Sequence, residues 1–190
     1  MTLHMVRPRA LLDESNVTTI QRYCERYPDM RLILAHAGRG FNMHHTVQAI
    51  ANRSLAGLQN LYFDTAAVTE SGALEAILRS EDFGPQRLLY GSDFPVSHAR
   101  GRCVGIGDSF LWILPKLSSM KAEYSEKGTV EAALVGLEAL RALKMACDNV
   151  GLRRTDIEDI FFRNAEDRLY HIPPEGQEHG RWIPTRPPPL

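Results

Sequence analysis

Short apolar runs that recur between amphipathic segments constrain this chain more than any other feature. Arg31–His36, Asn60–Asp64 and Arg87–Gly91 are each a few apolar residues closed by a polar residue or glycine, 29 residues apart from Leu32 to Leu61 and 27 from Leu61 to Leu88. That interval is close to the roughly 30 residues of one βα unit. Strands apolar on both faces are buried on both faces, the pattern of parallel strands covered by helices. The intervening segments supply the helices. Val17, Ile20, Tyr23 and Tyr27 recur at helical spacing up to Pro28, Met43, Val47 and Ile50 share one face, and Leu74, Ile77 and Leu78 lie within Glu70–Arg79. Thr2–Val6 reads as the end of one more strand, entering a loop at Arg7, Pro8 and Arg9. The fold class expected is α/β with about four parallel strands.

After Pro95 the rhythm breaks. Residues 97–128 form a long insertion whose cluster Phe110–Leu114 reads as the packing face of an inserted helix, with a cover over substrate as the alternative. Thr129–Asn149 is expected as a helix with Val130, Leu134, Leu137 and Leu140 on one side, stopped by Gly151, and Asp156–Tyr170 as one or two shorter helices. From Pro173 onward the chain holds six of its 11 prolines, so residues 172–190 are expected as an extended tail beside a domain of residues 1–171. Pro184-Thr185-Arg186-Pro187 in that tail fits a polyproline ligand, although an arm around a subunit or plain disorder fits better.

Composition narrows the function classes. With 22 basic and 23 acidic residues, a net charge of -1 and 44% apolar residues, the 190-residue chain has no surplus of cations for a nucleic acid or an anionic membrane. No run of about 18 apolar residues suggests a membrane span. Three scattered cysteines make neither a disulfide framework nor a metal knuckle, which points to a reducing, cytoplasmic setting. Gly38-Arg39-Gly40 and Gly105-Ile106-Gly107 lack the context of a phosphate loop, which excludes nucleotide binding by that motif.

The chemistry-bearing candidates are His4, His36 and Asp93, which close apolar strands where a parallel sheet places its active site. Imidazole and carboxylate on rigid strand ends suit a metal that activates water, while a hydrogen-bonded structural histidine or a turn-capping aspartate reads equally from the same residues. Asp64 ends a strand on the same rim and, standing before a threonine, reads first as a helix-entry cap, second as support for a ligand. Arg39 is a candidate for a substrate carboxylate, with a solvated loop arginine as the plainer reading. His98 and Arg100 read as an exposed loop pair.

The pieces Leu34–Gly38, Leu61–Thr65, Leu89–Pro95 and Phe162–Ala165 occur in an order that resembles the C-terminal half of the amidohydrolase-related family. This is the metal-dependent TIM-barrel group that includes aminocarboxymuconate-semialdehyde decarboxylase. The resemblance spans roughly residues 1–171 and is sharpest at Gly91-Ser92-Asp93-Phe94-Pro95. It implies strands five to eight of a (β/α)8 barrel, with His4 and Asp93 as metal ligands, His36 and Asp93 as catalytic residues, and a divalent metal, zinc by expectation. It implies hydrolysis of a C–N or C–O bond in a small molecule, or non-oxidative decarboxylation. The family's first-strand His-x-His pair has no counterpart, since His44 and His45 are adjacent and would point about 100° apart on a helix. A half-barrel leaves two open edges. The chain is therefore expected to self-associate or to need an N-terminal half, with Met1 internal to a longer frame, and to bind metal weakly with little turnover alone; a non-catalytic half-barrel that binds a partner is the alternative.

Overall fold

The computed structural model describes residues 1–5, 9–114 and 132–167. Its centre is a four-stranded parallel sheet in sequential order, β1 (Thr2–Leu3), β2 (Leu32–Leu34), β3 (Leu61–Asp64) and β4 (Leu88–Leu89). Register is set by Leu3 opposite Leu34, Leu34 opposite Phe63, and Phe63 opposite Leu88, which brings all four C-terminal strand ends to one rim. The helices are α1 (Glu14–Arg26), α2 (Met43–Ala51), α3 (Ser71–Arg79), α4 (Val135–Val150) and α5 (Arg154–Glu158). This is the expected α/β architecture with four parallel strands.

Local chemistry sets the helix starts. Asp13 Oδ1 accepts from the amides of Ser15 and Asn16 at 2.9 and 3.3 Å, and Asn42 Oδ1 accepts from His44 N at 3.2 Å, so each satisfies donors that the first turn leaves unpaired. The main core packs Leu32, Leu34, Leu61, Phe63 and Leu88 of the sheet against Ile20, Leu74, Ile77, Leu143 and Ile160, all 2% exposed or less. Each such side chain contributes roughly 1.5–3 kcal/mol. The outer edge of β4 is partly covered, because Tyr90 N donates to Ile160 O at 2.9 Å and the Asn164 amide donates to Leu88 O and Pro85 O at 2.9 and 2.8 Å.

The insertion departs from the expected helix. Residues Phe110–Leu114 do not pack as a helix; Ser109–Ile113 is strand β6, paired antiparallel with β5 (Arg102–Ile106) around a two-residue turn at Gly107 and Asp108. The reason is local: Gly107 takes φ 54, which a tight hairpin turn needs, and the aromatic and β-branched residues Phe110, Trp112 and Ile113 favour a strand. The rest of the insertion, residues 115–128, lies outside the described residues, as does the proline-rich tail.

Helix α4 begins at Val135, six residues later than expected, and turns a different face inward. Val135, Ala142, Leu143, Ala146 and Cys147 are buried, whereas Leu134, Leu137 and Leu140 remain 39–45% exposed. Helix α4 packs on α3, and the small side chains of Ala142 and Ala146 on its buried face permit a closer approach to the rest of the fold than leucines would. Val130 lies outside the described residues. Among the described residues no helix is long and apolar enough to cross a membrane.

Candidate active site

His36 leaves β2 in an unusual turn. His36, Ala37, Gly38 and Arg39 have φ of 57, 51, 71 and 73°, one turn of left-handed backbone directly beyond the strand. Such a conformation costs roughly 1–2 kcal/mol for each residue with a Cβ and survives only where the surroundings hold it. Here they do. Asp64 Oδ1 accepts from His36 N at 2.7 Å, Thr46 Oγ1 donates to Ala37 O at 2.9 Å, and Gly40 N donates to His36 O at 2.6 Å. Gly38 is required for space as well as φ, since a Cβ there would meet Leu11 Cδ1 at 2.3 Å.

The turn buries the His36 ring and fixes its tautomer. Ala66 O lies 2.8 Å from Nδ1, and a carbonyl can only accept, so the proton sits on Nδ1 and Nε2 carries the lone pair. Asp64 acts on both sides of this contact, because the same Oδ1 also accepts from Ala66 N at 3.1 Å. The aspartate is not the helix-entry cap its sequence position suggested, since the next helix starts at Ser71 behind Glu70; it closes a local turn and anchors a histidine on the neighbouring strand.

Asp93 reaches the same rim from β4. Thr65 N donates to Leu89 O at 3.0 Å and Gly91 N donates to Thr65 Oγ1 at 3.1 Å, stitching the ends of β3 and β4 together before the loop turns. Asp93 then adopts φ 55, its carbonyl accepts from Ser97 N at 3.0 Å, and the Phe94–Pro95 peptide is cis. Its carboxylate is near enough to His4 and Asp64 to act on the protonation of both. Asp64 is held above its ordinary range by burial, against the opposing pull of the His36 and Ala66 amides and the His36 ring, with the Asp93 charge adding to the rise.

His4 and Arg39 complete the cluster. The His4 ring stands edge-on to His36 with centroids 4.9 Å apart, and Arg39 Nη1 lies 3.3 Å from His4 Nε2. A guanidinium only donates, so His4 Nε2 accepts. Burial, His36 and Arg39 all push the His4 pKa down, opposed by Asp93 and Asp64, in keeping with a neutral ring. Arg39 is half-buried rather than a solvated loop residue, its guanidinium 4.9 Å from the Phe41 ring centroid and 5.1 Å from that of Phe110.

Residues 2–111, more than half of the chain, match the family model described as amidohydrolase. The chain belongs to the amidohydrolase family. A relative, the L-fucono-1,5-lactonase of Burkholderia ambifaria, is 29% identical over 129 residues, which cover 60% of this chain and 42% of the relative. The chain thus spans about two-fifths of that relative's length. No solved structure gave a significant match. Membership implies a TIM barrel, of which the four parallel strands supply half.

Amidohydrolases generally use divalent metals, and the donor types at this rim, imidazole and carboxylate, are suitable ones. Their arrangement does not complete a site. Among the described residues no group of three His, Cys, Asp or Glu side chains converges to hold a metal, and the Nε2 lone pair of His4 faces the Arg39 guanidinium. His4 and Asp93 as a metal pair, and zinc as the ion, therefore gain no support from the described residues of this chain.

The remaining candidates sort plainly. His98 and Arg100 are exposed, the first edge-on to Phe94 at 5.1 Å and the second donating to Ala132 O at 2.9 Å. His44 is exposed, while His45 is buried, accepting from Arg9 N at Nδ1 (3.1 Å) and meeting Asp108 Oδ1 at Nε2 (3.0 Å). What sequence reasoning missed is the aromatic floor under Arg39, where Phe41 contacts Phe110 at 5.2 Å and Trp112 at 5.4 Å. Phe41 lies two residues from Arg39, but its partners come from a hairpin about seventy residues on, and only the Gly107-Asp108 turn signal would have exposed that hairpin.

Proposed function

We propose that the protein hydrolyses a C–O bond in a small cyclic ester, with the proton moving between Asp93 and His36 at the strand-end rim. The observation that carries this reading is the buried His36 ring, whose Nδ1 is committed to Ala66 O so that Nε2 is held ready to exchange a proton. In the step proposed, water attacks the ester carbonyl, its proton passes to the Asp93 carboxylate, and the ring oxygen leaves as a hydroxyl after taking a proton from the rim. The products are one hydroxy acid per lactone and water. His36 relays the proton: Nε2, which carries the lone pair, accepts it from Asp93 and donates it to the departing ring oxygen.

The lactonase named among the relatives supports an ester over an amide and hydrolysis over decarboxylation. Since the chain spans 42% of that relative, we infer that the other wall of the barrel comes from further polypeptide, either in the same frame or as a second copy. The test is a pH-stat survey of sugar lactones, linear esters, amides and a carboxylated enoate, with carbon dioxide followed in parallel. Acid release from lactones alone is expected. Carbon dioxide from the enoate, or amide hydrolysis without lactone hydrolysis, would overturn the proposal.

A further inference from the structure

The foot of the sheet, opposite the active-site rim, gathers positive charge that the fold leaves unpaired. Arg31 immediately precedes β2, Asn60 precedes β3 and Arg87 precedes β4, so they stand together where three neighbouring strands begin. A cavity of about 430 Å³ opens there, lined by Arg31, Asn60, Tyr62 and Arg87 with Glu25 and Gln59 among its walls. Its donors are only partly used. Arg31 Nη1 reaches Pro28 O and Asp29 O at 3.4 and 3.3 Å, the long limit of a hydrogen bond. Its Nε is enclosed with no acceptor, and its Nη2 has none among the described residues. Arg87 gives both Nη groups to Gln59, through the backbone carbonyl and Oε1, which fixes the guanidinium 5.0 Å from the Tyr62 ring centroid. Its Nε has no acceptor among the described residues. Tyr62 is 2% exposed and its hydroxyl also lacks a partner among them, although it is not one of the enclosed orphan atoms, so the hydroxyl faces the cavity. Asn60 is engaged, donating to Cys24 O and Tyr27 O at 3.1 and 3.0 Å, and it holds the end of α1 against this wall.

We propose that this cavity is a binding site for a phosphoryl group, which Arg31 Nη2, Arg87 Nε and the Tyr62 hydroxyl hold. The site lies at the far end of the strands from His36 and Asp93 and does not depend on the reading of that rim. A half-enclosed guanidinium without an acceptor is unfavourable, and an oxyanion relieves it through charge-assisted hydrogen bonds roughly twice as strong as neutral ones. The donors come from three separate side chains on two strands and the start of a third. A tetrahedral group with several free oxygens accepts from such diverging directions, whereas a carboxylate is best met by the parallel fork of one guanidinium. The volume lies within the roughly 300–1,000 Å³ of small-molecule sites, so it has room for the organic part of a phosphomonoester. Glu25, the single carboxylate of the lining, only accepts, which suits a hydroxyl on that organic part. Two guanidiniums against one carboxylate leave the cavity cationic.

The test is calorimetric titration at fixed ionic strength with inorganic phosphate, glycerol 3-phosphate, acetate and glycerol. Saturable binding of both phosphates is expected, with acetate at least about 10-fold weaker and no binding of glycerol. Tighter binding of glycerol 3-phosphate assigns an ester as the occupant, and tighter binding of inorganic phosphate assigns the free ion; either supports the site. Arg31→Gln and Arg87→Gln should each weaken inorganic phosphate about 10- to 100-fold, and Tyr62→Phe about 2- to 10-fold. Glu25→Gln, which removes the opposing charge, should strengthen it about 2- to 5-fold. In the unsubstituted protein the side-chain Nε–H resonances of Arg31 and Arg87 should move with phosphate while that of Arg39, at the other rim, stays in place, so a misfolded variant leaves the test decisive. Absence of saturation, acetate binding as tightly as phosphate, unmoved Arg31 and Arg87 resonances, or unchanged affinity in a folded Arg31→Gln or Arg87→Gln would overturn the proposal.

Discussion

Removing the Asp64 carboxylate should unfasten the active-site turn. Asp64 Oδ1 is the acceptor for two backbone donors, His36 N at 2.7 Å and Ala66 N at 3.1 Å, and the first belongs to a run of four left-handed residues. An orphaned, partly buried donor costs about 1–3 kcal/mol, so Asp64→Ala places roughly 2–6 kcal/mol at risk, of which relief of the buried charge returns a part. We expect a net loss of about 2–3 kcal/mol for Asp64→Ala and about 1 kcal/mol or less for Asp64→Asn, whose side-chain oxygen accepts the same two bonds. The pH dependence separates them further. Burial raises the folded-state pKa of Asp64 above the ordinary 3.8, so its relative contribution is full below that value and is lost as pH rises through the raised one. The parent should therefore lose stability relative to Asp64→Asn as pH climbs out of the acid range. Urea unfolding followed by Trp112 fluorescence in the Trp182→Phe background, at several pH values, measures all three proteins. If Asp64→Ala unfolds within about 0.5 kcal/mol of the parent, the clamp has no energetic role and the reasoning fails.

Other parts of the structure make separate predictions. Gly38→Ala should destabilise by roughly 2–4 kcal/mol in urea unfolding, combining the left-handed penalty with a Cβ set 2.3 Å from Leu11 Cδ1; a change below about 0.5 kcal/mol would contradict that packing. Asp108 is held below its ordinary 3.8 by the His45 and Arg9 hydrogen bonds, so its hold on the hairpin is full above that value and is lost as pH falls through the depressed one. Trp112 emission should shift in that acid range, and a titration with no such shift would show that the Asp108 contact does not hold the hairpin. The thiol of Cys103 is pushed up to about 12 by burial, and Cys24 and Cys147 are buried too. A thiol reagent should therefore label the native protein slowly at neutral pH, and rapid stoichiometric labelling would contradict the packing.

The βα rhythm was legible because each strand is a run of apolar residues closed by a residue that cannot continue it. Leu32–Leu34, Leu61–Asp64 and Leu88–Leu89 all fall inside the segments the spacing indicated. Helix stops at Pro28 and Gly151 were legible for the same local reason. What failed depended on contacts distant in sequence. The leucines of α4 outweighed its alanines in the periodic reading, yet Ala142 and Ala146 are the buried ones. The hairpin was hidden behind an aromatic cluster that suits a helix face equally well, although Gly107-Asp108 between two apolar runs carried the turn signal. At the rim, His36, Asp93, Asp64 and Arg39 could each be picked out as a strand-end polar residue or its neighbour. Their mutual arrangement could not, because Asp64 reaches His36 across 28 positions and Arg39 reaches His4 across 35. Only Gly38 marked the left-handed turn, and a glycine beyond a strand is compatible with many turns.

The most direct test of the proposed centre is the steady-state rate of lactone opening by Asp93→Asn beside the parent, with folding of both verified by their urea transitions. The account predicts that kcat falls by at least about 100-fold while KM changes little, because the substituted amide keeps the shape of the loop and loses the ability to take a proton. A variant that opens the lactone at the parent's rate would remove Asp93 from the chemistry and with it the proposed mechanism.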